Sequence, residues 1–201
     1  MKTLLFAGVA LACATAGFAQ SQTPNTTQNQ SNANRSTVIS SGSEDIEFVL
    51  DAAKGGLAEV ELGKLAAERA QSDEVKKFAQ RMVDDHTKAN EQLKQIAERK
   101  SIKLPTDVDS KDKALMQRLE KLNGPAFDRT YLNAMVNDHV KDVNEFKREA
   151  SAGRDPQVKS FAESTLPTVE EHLQQAKQTR TQTPASRTSS TTKSPATSGN
   201  N

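Results

Sequence analysis

Each of the three histidines in this 201-residue chain directly follows an acidic residue. The three pairs are Asp85–His86, Asp138–His139 and Glu171–His172. Two pairs lie in near-repeats of one another, MVDDHTKANEQLK and MVNDHVKDVNEFK, and the third lies in TVEEHLQQAK. Imidazole nitrogens bind zinc, iron, copper and manganese in proteins. Three histidines on separate helices therefore predict a transition-metal site if the fold brings them together.

Helical periodicity predicts that the histidines face the interior of a helical bundle. His139 shares a helical row with Phe146, His172 lies beside a row that contains Val169, and His86 lies at the edge of an apolar stripe. The acid before each histidine is rotated by about 100° around the helix. We therefore expect these acids to flank the site or to support its ligands rather than to bind the metal.

A carboxylate from the first helix completes the predicted site. All three histidines lie near the middle of their helices, and the segment LAEVELGKL offers Glu59 and Glu61 at a similar height. Helical spacing alone does not choose between these two glutamates. A layer of three imidazoles and one carboxylate is typical of a site for one transition metal ion, of which iron, zinc, copper and manganese are candidates. The same pattern is compatible with a structural layer of core histidines that bond to neighbouring acids without a metal.

Residues 43–178 are predicted to form an all-α domain. This region is rich in Ala, Leu, Glu, Lys and Gln, which favour helices. Caps and breakers predict long helices over residues 43–70, 72–100, 125–152 and 155–178, and a short helix over residues 110–122. The two hairpins are joined by a long connection that carries the short helix. This predicts a ferritin-like four-helix bundle with a long crossover, and a simple up-down-up-down bundle is the alternative.

The two ends of the chain have a different composition. Residues 1–19 have the basic start, apolar run and small residues of a secretory signal peptide. Cys13 raises the alternative of a lipoprotein, which the residues before it fit poorly. Residues 20–42 and 179–201 are polar, with few apolar side chains to bury, and are predicted to be a disordered linker and a disordered tail. These features predict a periplasmic or secreted protein, with outer-membrane association as an option.

Composition excludes several functional classes. Cleavage after Ala19 would leave 26 basic and 26 acidic residues, which argues against a nucleic-acid partner. The mature chain would have no cysteine and no apolar segment of the roughly 20 residues that a membrane span needs. No Gly-rich phosphate loop or nucleophilic triad is recognisable. The sequence therefore favours a protein that is not an enzyme.

The stretch from Leu57 to Pro105, which includes the first Asp-His pair, resembles the bacterial domain of unknown function 4142 family. The resemblance covers residues 45–178 and implies a secreted, ferritin-like helical protein, of a kind often labelled as an outer-membrane protein. It implies no established activity. The family's motif positions correspond to Glu59, Asp85–His86, Asp138–His139 and His172, so the resemblance favours Glu59 over Glu61.

A ferritin-type di-iron centre is not expected, because it uses a Glu-x-x-His motif on two helices. The residues three positions before the histidines are Val83, Val136 and Val169. We therefore consider three functions: a periplasmic metal-binding protein for storage, sensing or stress protection; an envelope interaction protein with a structural histidine layer; and a metal-dependent oxidoreductase. An envelope or cell-surface partner is compatible with all three.

Overall fold

The computed structural model describes the backbone of residues 26–183 and the side chains of residues 42–183. Within this range the chain forms helices and no strand. The helices are α1 Thr26–Arg69, α2 Asp73–Arg99, α3 Ser110–Glu120, α4 Gly124–Ala152 and α5 Pro156–Gln182. The described residues 37–183 belong to one compact unit, which holds all the side chains discussed below. Residues 26–36, at the beginning of α1, belong to a separate unit.

The four long helices have the ferritin-like order. Asp128, near the start of α4, accepts hydrogen bonds from the α1–α2 turn, so α4 begins beside the start of α2. Lys100, at the end of α2, pairs with Asp155 at the start of α5. Helices α2 and α4 therefore run in the same direction, and α1 and α5 run in the opposite direction. This order requires the long crossover through α3 and confirms the predicted fold class.

Two buried aspartates hold the hairpin turns. Asp128 accepts hydrogen bonds from the backbone N–H groups of Gln71 and Ser72, at 2.9 Å each. Asp45, on α1, accepts from the N–H groups of Arg154 and Asp155 at the other end of the bundle, at 3.2 and 2.8 Å. Each carboxylate thus satisfies backbone donors that the helices leave unpaired. Ser72 is the N-cap residue of α2, as its position before Asp73 and Glu74 predicts, but its side chain forms no capping hydrogen bond.

The core consists of two apolar clusters, one toward each end of the bundle. The first cluster lies near the α1–α2 turn and is centred on Phe78, Met82 and Tyr131. The second lies toward the α4–α5 turn and is centred on Phe48, Phe146 and Phe161. Nine core residues predicted from the sequence are all buried, namely Phe78, Met82, Leu93, Leu132, Val136, Val143, Phe146, Phe161 and Val169.

Two helix ends differ from the predicted boundaries. Helix α1 begins at Thr26 rather than at Ser43, so part of the predicted linker has a helical backbone. Extending an existing helix needs no new nucleation, which is why a polar segment can continue it. Helix α5 ends at Gln182 rather than at residue 178. The predicted signal peptide and residues 184–201 of the predicted tail lie outside the described residues. No helix in the described part of the chain is long and apolar enough to cross a bilayer.

Candidate metal centre

The three histidines lie together in a polar layer between the two apolar clusters. His86 on α2, His139 on α4 and His172 on α5 are 8%, 0% and 1% exposed. Their ring centroids are 5.2–5.6 Å apart. One ring nitrogen from each histidine lies within 4.8 Å of one from each of the others. The fold therefore brings the three predicted ligands to one point.

One nitrogen of each imidazole has a hydrogen-bond or ion-pair partner outside the cluster. His86 Nδ1 lies 3.0 Å from Glu59 Oε2, and His172 Nε2 lies 2.9 Å from Asp85 Oδ2. His139 Nδ1 lies 3.0 Å from the backbone oxygen of Met135, one helical turn earlier. A carboxylate or carbonyl behind the ring is the usual support of a metal-binding histidine, because it fixes the tautomer and the ring orientation.

The other nitrogen of each ring is buried and has no hydrogen-bond partner among the described residues. These atoms are His86 Nε2, His139 Nε2 and His172 Nδ1. When the first nitrogen carries the proton toward its partner, the second carries a free lone pair. The cluster is therefore a set of three buried electron-pair donors.

The surroundings keep the imidazoles neutral. Burial and the other two rings lower the pKa of His86 well below its usual value. Burial, together with His172, lowers the pKa of His139 to about 3. Burial also lowers the pKa of His172, although hydrogen bonding to Asp85 acts in the opposite direction. Neutral imidazole is the form that binds a metal ion.

Glu59 lies behind the histidines, on the side of α1. It is 4% exposed, and its Oε2 is the atom that contacts His86. Its Oε1 lies 3.2 Å from His139 Nδ1, but that nitrogen bonds to Met135, and Oε1 makes no hydrogen bond within the described residues. The alternative carboxylate, Glu61, is instead paired with Lys64 on the exposed face of α1.

Asp142 belongs to the same layer, although no motif in the sequence predicts it as a site residue. Glu59, His139 and Asp142 each offer a ligand atom within 4.8 Å of the others. Burial, followed by the charges of Asp142 and Asp138, raises the pKa of Glu59 well above its usual value. Burial and Asp138 raise the pKa of Asp142 to about 7. The sequence places Asp142 on the same helix face as His139, three positions earlier, but does not show that this face is buried against Glu59.

The acids that precede the histidines have different positions. Asp85 contacts His172 and also accepts from Arg81 Nε at 3.2 Å. Asp138 lies 3.6 Å from Lys111 on α3 and does not contact a histidine. Glu171 is exposed and binds Arg81. Of the three predicted supporting acids, the structure thus places Asp85 directly against the cluster and links Glu171 to it through Arg81.

The fold and the site together define a ferritin-like helical bundle with a buried three-histidine cluster. The chain belongs to the DUF4142 family, a domain of unknown function, whose model matches residues 25–179. A di-iron centre does not fit this layer, because the Glu-x-x-His motifs are absent from the three histidine helices.

Two solved structures of DUF305 proteins are similar in fold. The first is a protein from Streptomyces coelicolor that is thought to be secreted, at 17% identity and a TM-score of 0.59, over 69% of this chain and 91% of that one. The second is a fragment from Deinococcus radiodurans, at 16% identity and a TM-score of 0.62, over 69% of this chain and 96% of that one. No curated protein matches the chain significantly. At these identities the structures support the fold alone.

Proposed function

We propose that this protein binds one first-row transition metal ion through His86, His139 and His172, and that it serves metal storage, sensing or stress protection in the bacterial envelope. The observation that carries the proposal is the set of three unpaired nitrogens, one on each buried ring. Glu59 supports His86, and Asp85 supports His172. Asp138 and Glu171 act through their neighbours, at a greater distance from the ion.

The energetics of the layer favour a bound cation. A buried polar atom without a hydrogen-bond partner destabilises a fold by about 1–3 kcal/mol. Three such atoms in one layer need a common partner, and a metal ion accepts all three lone pairs at once. Metal–nitrogen distances of about 2.0–2.1 Å require only that nitrogens now within 4.8 Å draw closer around a common centre.

The ligand set narrows the choice of metal. Three imidazoles leave at least one coordination position open for a water molecule, as in catalytic zinc sites. Glu59, predicted from the sequence as the fourth ligand, instead contacts the Nδ1 atoms of His86 and His139, on the far side of these rings from their unpaired Nε2 atoms. Imidazole ligands suit zinc, copper, iron and nickel better than magnesium or calcium, which prefer oxygen. In competition between divalent ions we expect affinity to follow the usual order, with copper highest and manganese lowest.

Graded substitutions test the proposal by calorimetric titration of the metal-free protein with zinc. His139→Ala should abolish saturable binding, because it removes a ligand. Asp85→Asn removes only the carboxylate behind His172 and should weaken binding about 10- to 100-fold. Glu163→Gln, on the exposed face of α5, should leave affinity unchanged. Circular dichroism of each variant provides the check that the bundle is intact.

Two outcomes would contradict the proposal: an unmodified protein that shows no saturable binding of zinc, cobalt or copper, or a folded His139→Ala variant that binds as tightly as the original.

A structural role for the histidine layer is the second candidate. It is favoured by the position of the layer between two apolar clusters, where each ring has one partner outside the cluster. In that case the protein would serve as an envelope interaction module. A melting temperature that no divalent first-row ion raises, measured against a chelator control, would support this candidate, since a metal bound to the folded state alone must stabilise it.

A further inference from the structure

An acidic surface pocket leads from solvent to Glu59. It has a volume of about 190 Å³ and lies between α1, the N-terminal part of α3 and α4. Six carboxylates line it: Asp51, Glu59, Asp109, Asp112, Asp138 and Asp142. A larger cavity of about 550 Å³ on another face, between α1, α2 and the crossover, includes none of the histidines.

The lysines of the pocket do not cancel its negative charge. Three lysines line the pocket, and their partners are acids at or near its rim: Lys54 with Asp51 at 3.0 Å, Lys111 with Asp138 at 3.6 Å, and Lys141 with Glu145 at 3.3 Å. The carboxylates of Asp112 and Asp142 form no ion pair within the described residues. Asp109 faces the pocket while its side chain caps α3. The pocket therefore favours a cation.

The inner wall of the pocket is in contact with the histidine cluster. Glu59 lines the pocket and is buried, and its Oε1 accepts no hydrogen bond from an N–H group of the described residues, although the Glu59 carboxyl interacts with that of Asp142. Its other oxygen contacts His86. Asp142 lines the pocket beside it and shares a ligand group with Glu59 and His139. Glu59 thus connects the pocket to the buried rings through a single side chain.

We propose that this acidic pocket is the entry site for a divalent metal ion, which passes from the rim to Glu59 and Asp142 and then to the three histidines. The inference rests on the proposed metal-binding function and adds the route by which the ion arrives. Carboxylates at the rim attract a hydrated cation, and the carboxyls of Glu59 and Asp142 at the inner wall replace some of its water ligands. The crossover contributes Asp112 of α3 and its capping residue Asp109, so it has a role beyond joining the hairpins.

Stopped-flow mixing of the full-length, metal-free protein with cobalt(II) tests the role of the charges, since cobalt absorbance reports arrival at the histidines. The double variant Asp51→Asn/Asp112→Asn should load about 5- to 10-fold more slowly, because steering by a charged cleft accounts for rate factors of this order or larger. The final spectrum and the stoichiometry should not change. The difference should shrink at about 1 M salt, where the screening length falls to about 3 Å.

A charge-matched control is Glu68→Gln/Glu163→Gln, which removes two exposed carboxylates away from the pocket. It should load at the original rate. Equal slowing of both double variants would mean that net charge, and not this pocket, sets the rate, and would overturn the proposal.

A second test makes the acidic pocket smaller without changing its charge. Gly55 lines the pocket, and a Cβ atom there would meet nothing within 4 Å. Gly55→Leu should slow loading and release by a similar factor and leave the equilibrium affinity unchanged, whereas Gly55→Ala should change neither rate. If the unmodified protein takes up cobalt but neither Gly55→Leu nor the Asp51/Asp112 variant alters the rates, the route is wrong while the histidine site stands. If the unmodified protein takes up no cobalt at all, both proposals fail.

Discussion

The two hairpins, α1–α2 and α4–α5, share a scaffold but not a chemistry. Equivalent positions of the two hairpins are 83 residues apart in the sequence. This offset relates the two aspartates that bind the turns, Asp45 and Asp128. It also relates two aromatic contacts: Phe48 with Phe161, whose rings are 6.4 Å apart, corresponds to Tyr131 with Phe78, at 6.2 Å. The bundle therefore has an internal pseudo-twofold relation between its halves.

The carboxylates of the buried layer follow this relation, and the histidines do not. Glu59 and Asp142 are also 83 residues apart, and they face each other between α1 and α4. The positions that correspond to His86, His139 and His172 are occupied by Val169, Gly56 and Ala89. The turn aspartates, the aromatic contacts and the Glu59–Asp142 pair thus follow the offset, whereas the three histidines do not.

The largest loss of stability that tests the relation between the two hairpins is expected at their turns. Asp45→Ala and Asp128→Ala should each destabilise the protein by about 2–3 kcal/mol, because each leaves two backbone N–H groups without their charged acceptor. If the halves are equivalent, the two losses should be similar. Urea unfolding of the metal-free protein measures both. A loss confined to one variant would show that the two turns are not energetically related.

The difference between scaffold and site also explains what the sequence could predict. Helix number, the crossover and the core follow from periodicity and from caps such as Asp155, which are local signals. The convergence of His86, His139 and His172 was predicted because each faces inward near mid-helix. The turn contacts of Asp45 and Asp128 join residues more than 50 positions apart. No local pattern marks such contacts.

Asp142 shows the same limit within the site. Its sequence neighbourhood resembles any charged helix face, and only the packing of α1 against α4 buries it beside Glu59.

The pKa values of the three histidines also differ from those that the sequence predicts, because burial depends on the packing of the helices. The sequence predicts that acid releases the metal near the usual histidine pKa of about 6.5. Burial lowers the pKa of all three histidines, so we expect release to begin at a lower pH.

A smaller effect on stability should come from the pair of buried carboxyls, Glu59 and Asp142, and should depend on pH. The pKa of Asp142 is raised to about 7 in the folded protein, and that of Glu59 is also raised. A raised carboxyl pKa means that the unfolded state releases its proton first. The associated stability is fully present below about pH 4 and is lost as the pH rises through about 7.

The three buried histidines act in the opposite direction, because their pKa values are lowered and the stability that they contribute rises as the pH rises through the unfolded value of about 6.5. The effect of the carboxyl pair is therefore measured as a difference between proteins. Relative to the unmodified protein, Asp142→Asn should gain about 2–4 °C in melting temperature between pH 6 and pH 8, which corresponds to about 1 kcal/mol. Differential scanning calorimetry with a chelator present measures this difference, and Glu59→Gln should change in the same direction. A difference that stays constant between pH 6 and pH 8 in both variants would show that the pair does not contribute to the pH dependence.

The smallest effect contrasts two glycines of α1. Gly63 packs closely against α2, where an added Cβ would lie 2.9 Å from Val83 and 3.1 Å from the backbone oxygen of Ala79. A Cβ on Gly55 would meet nothing within 4 Å. Gly55→Ala should therefore stabilise the protein by about 0.5–1 kcal/mol, since alanine favours a helix interior. Gly63→Ala should destabilise it, because the backbone oxygen of Ala79 cannot move aside without shifting α2.

The offset sharpens this contrast, since Gly63 corresponds to Phe146, a large side chain of the second apolar cluster. In the first hairpin, Gly63 allows α1 to approach α2 closely. In the second hairpin, the Phe146 side chain lies between α4 and α5, in contact with Phe161. Urea unfolding of the two alanine variants, each compared with the unmodified protein, measures the difference. Equal stabilities for Gly55→Ala and Gly63→Ala would show that the close α1–α2 approach does not depend on a missing side chain at residue 63.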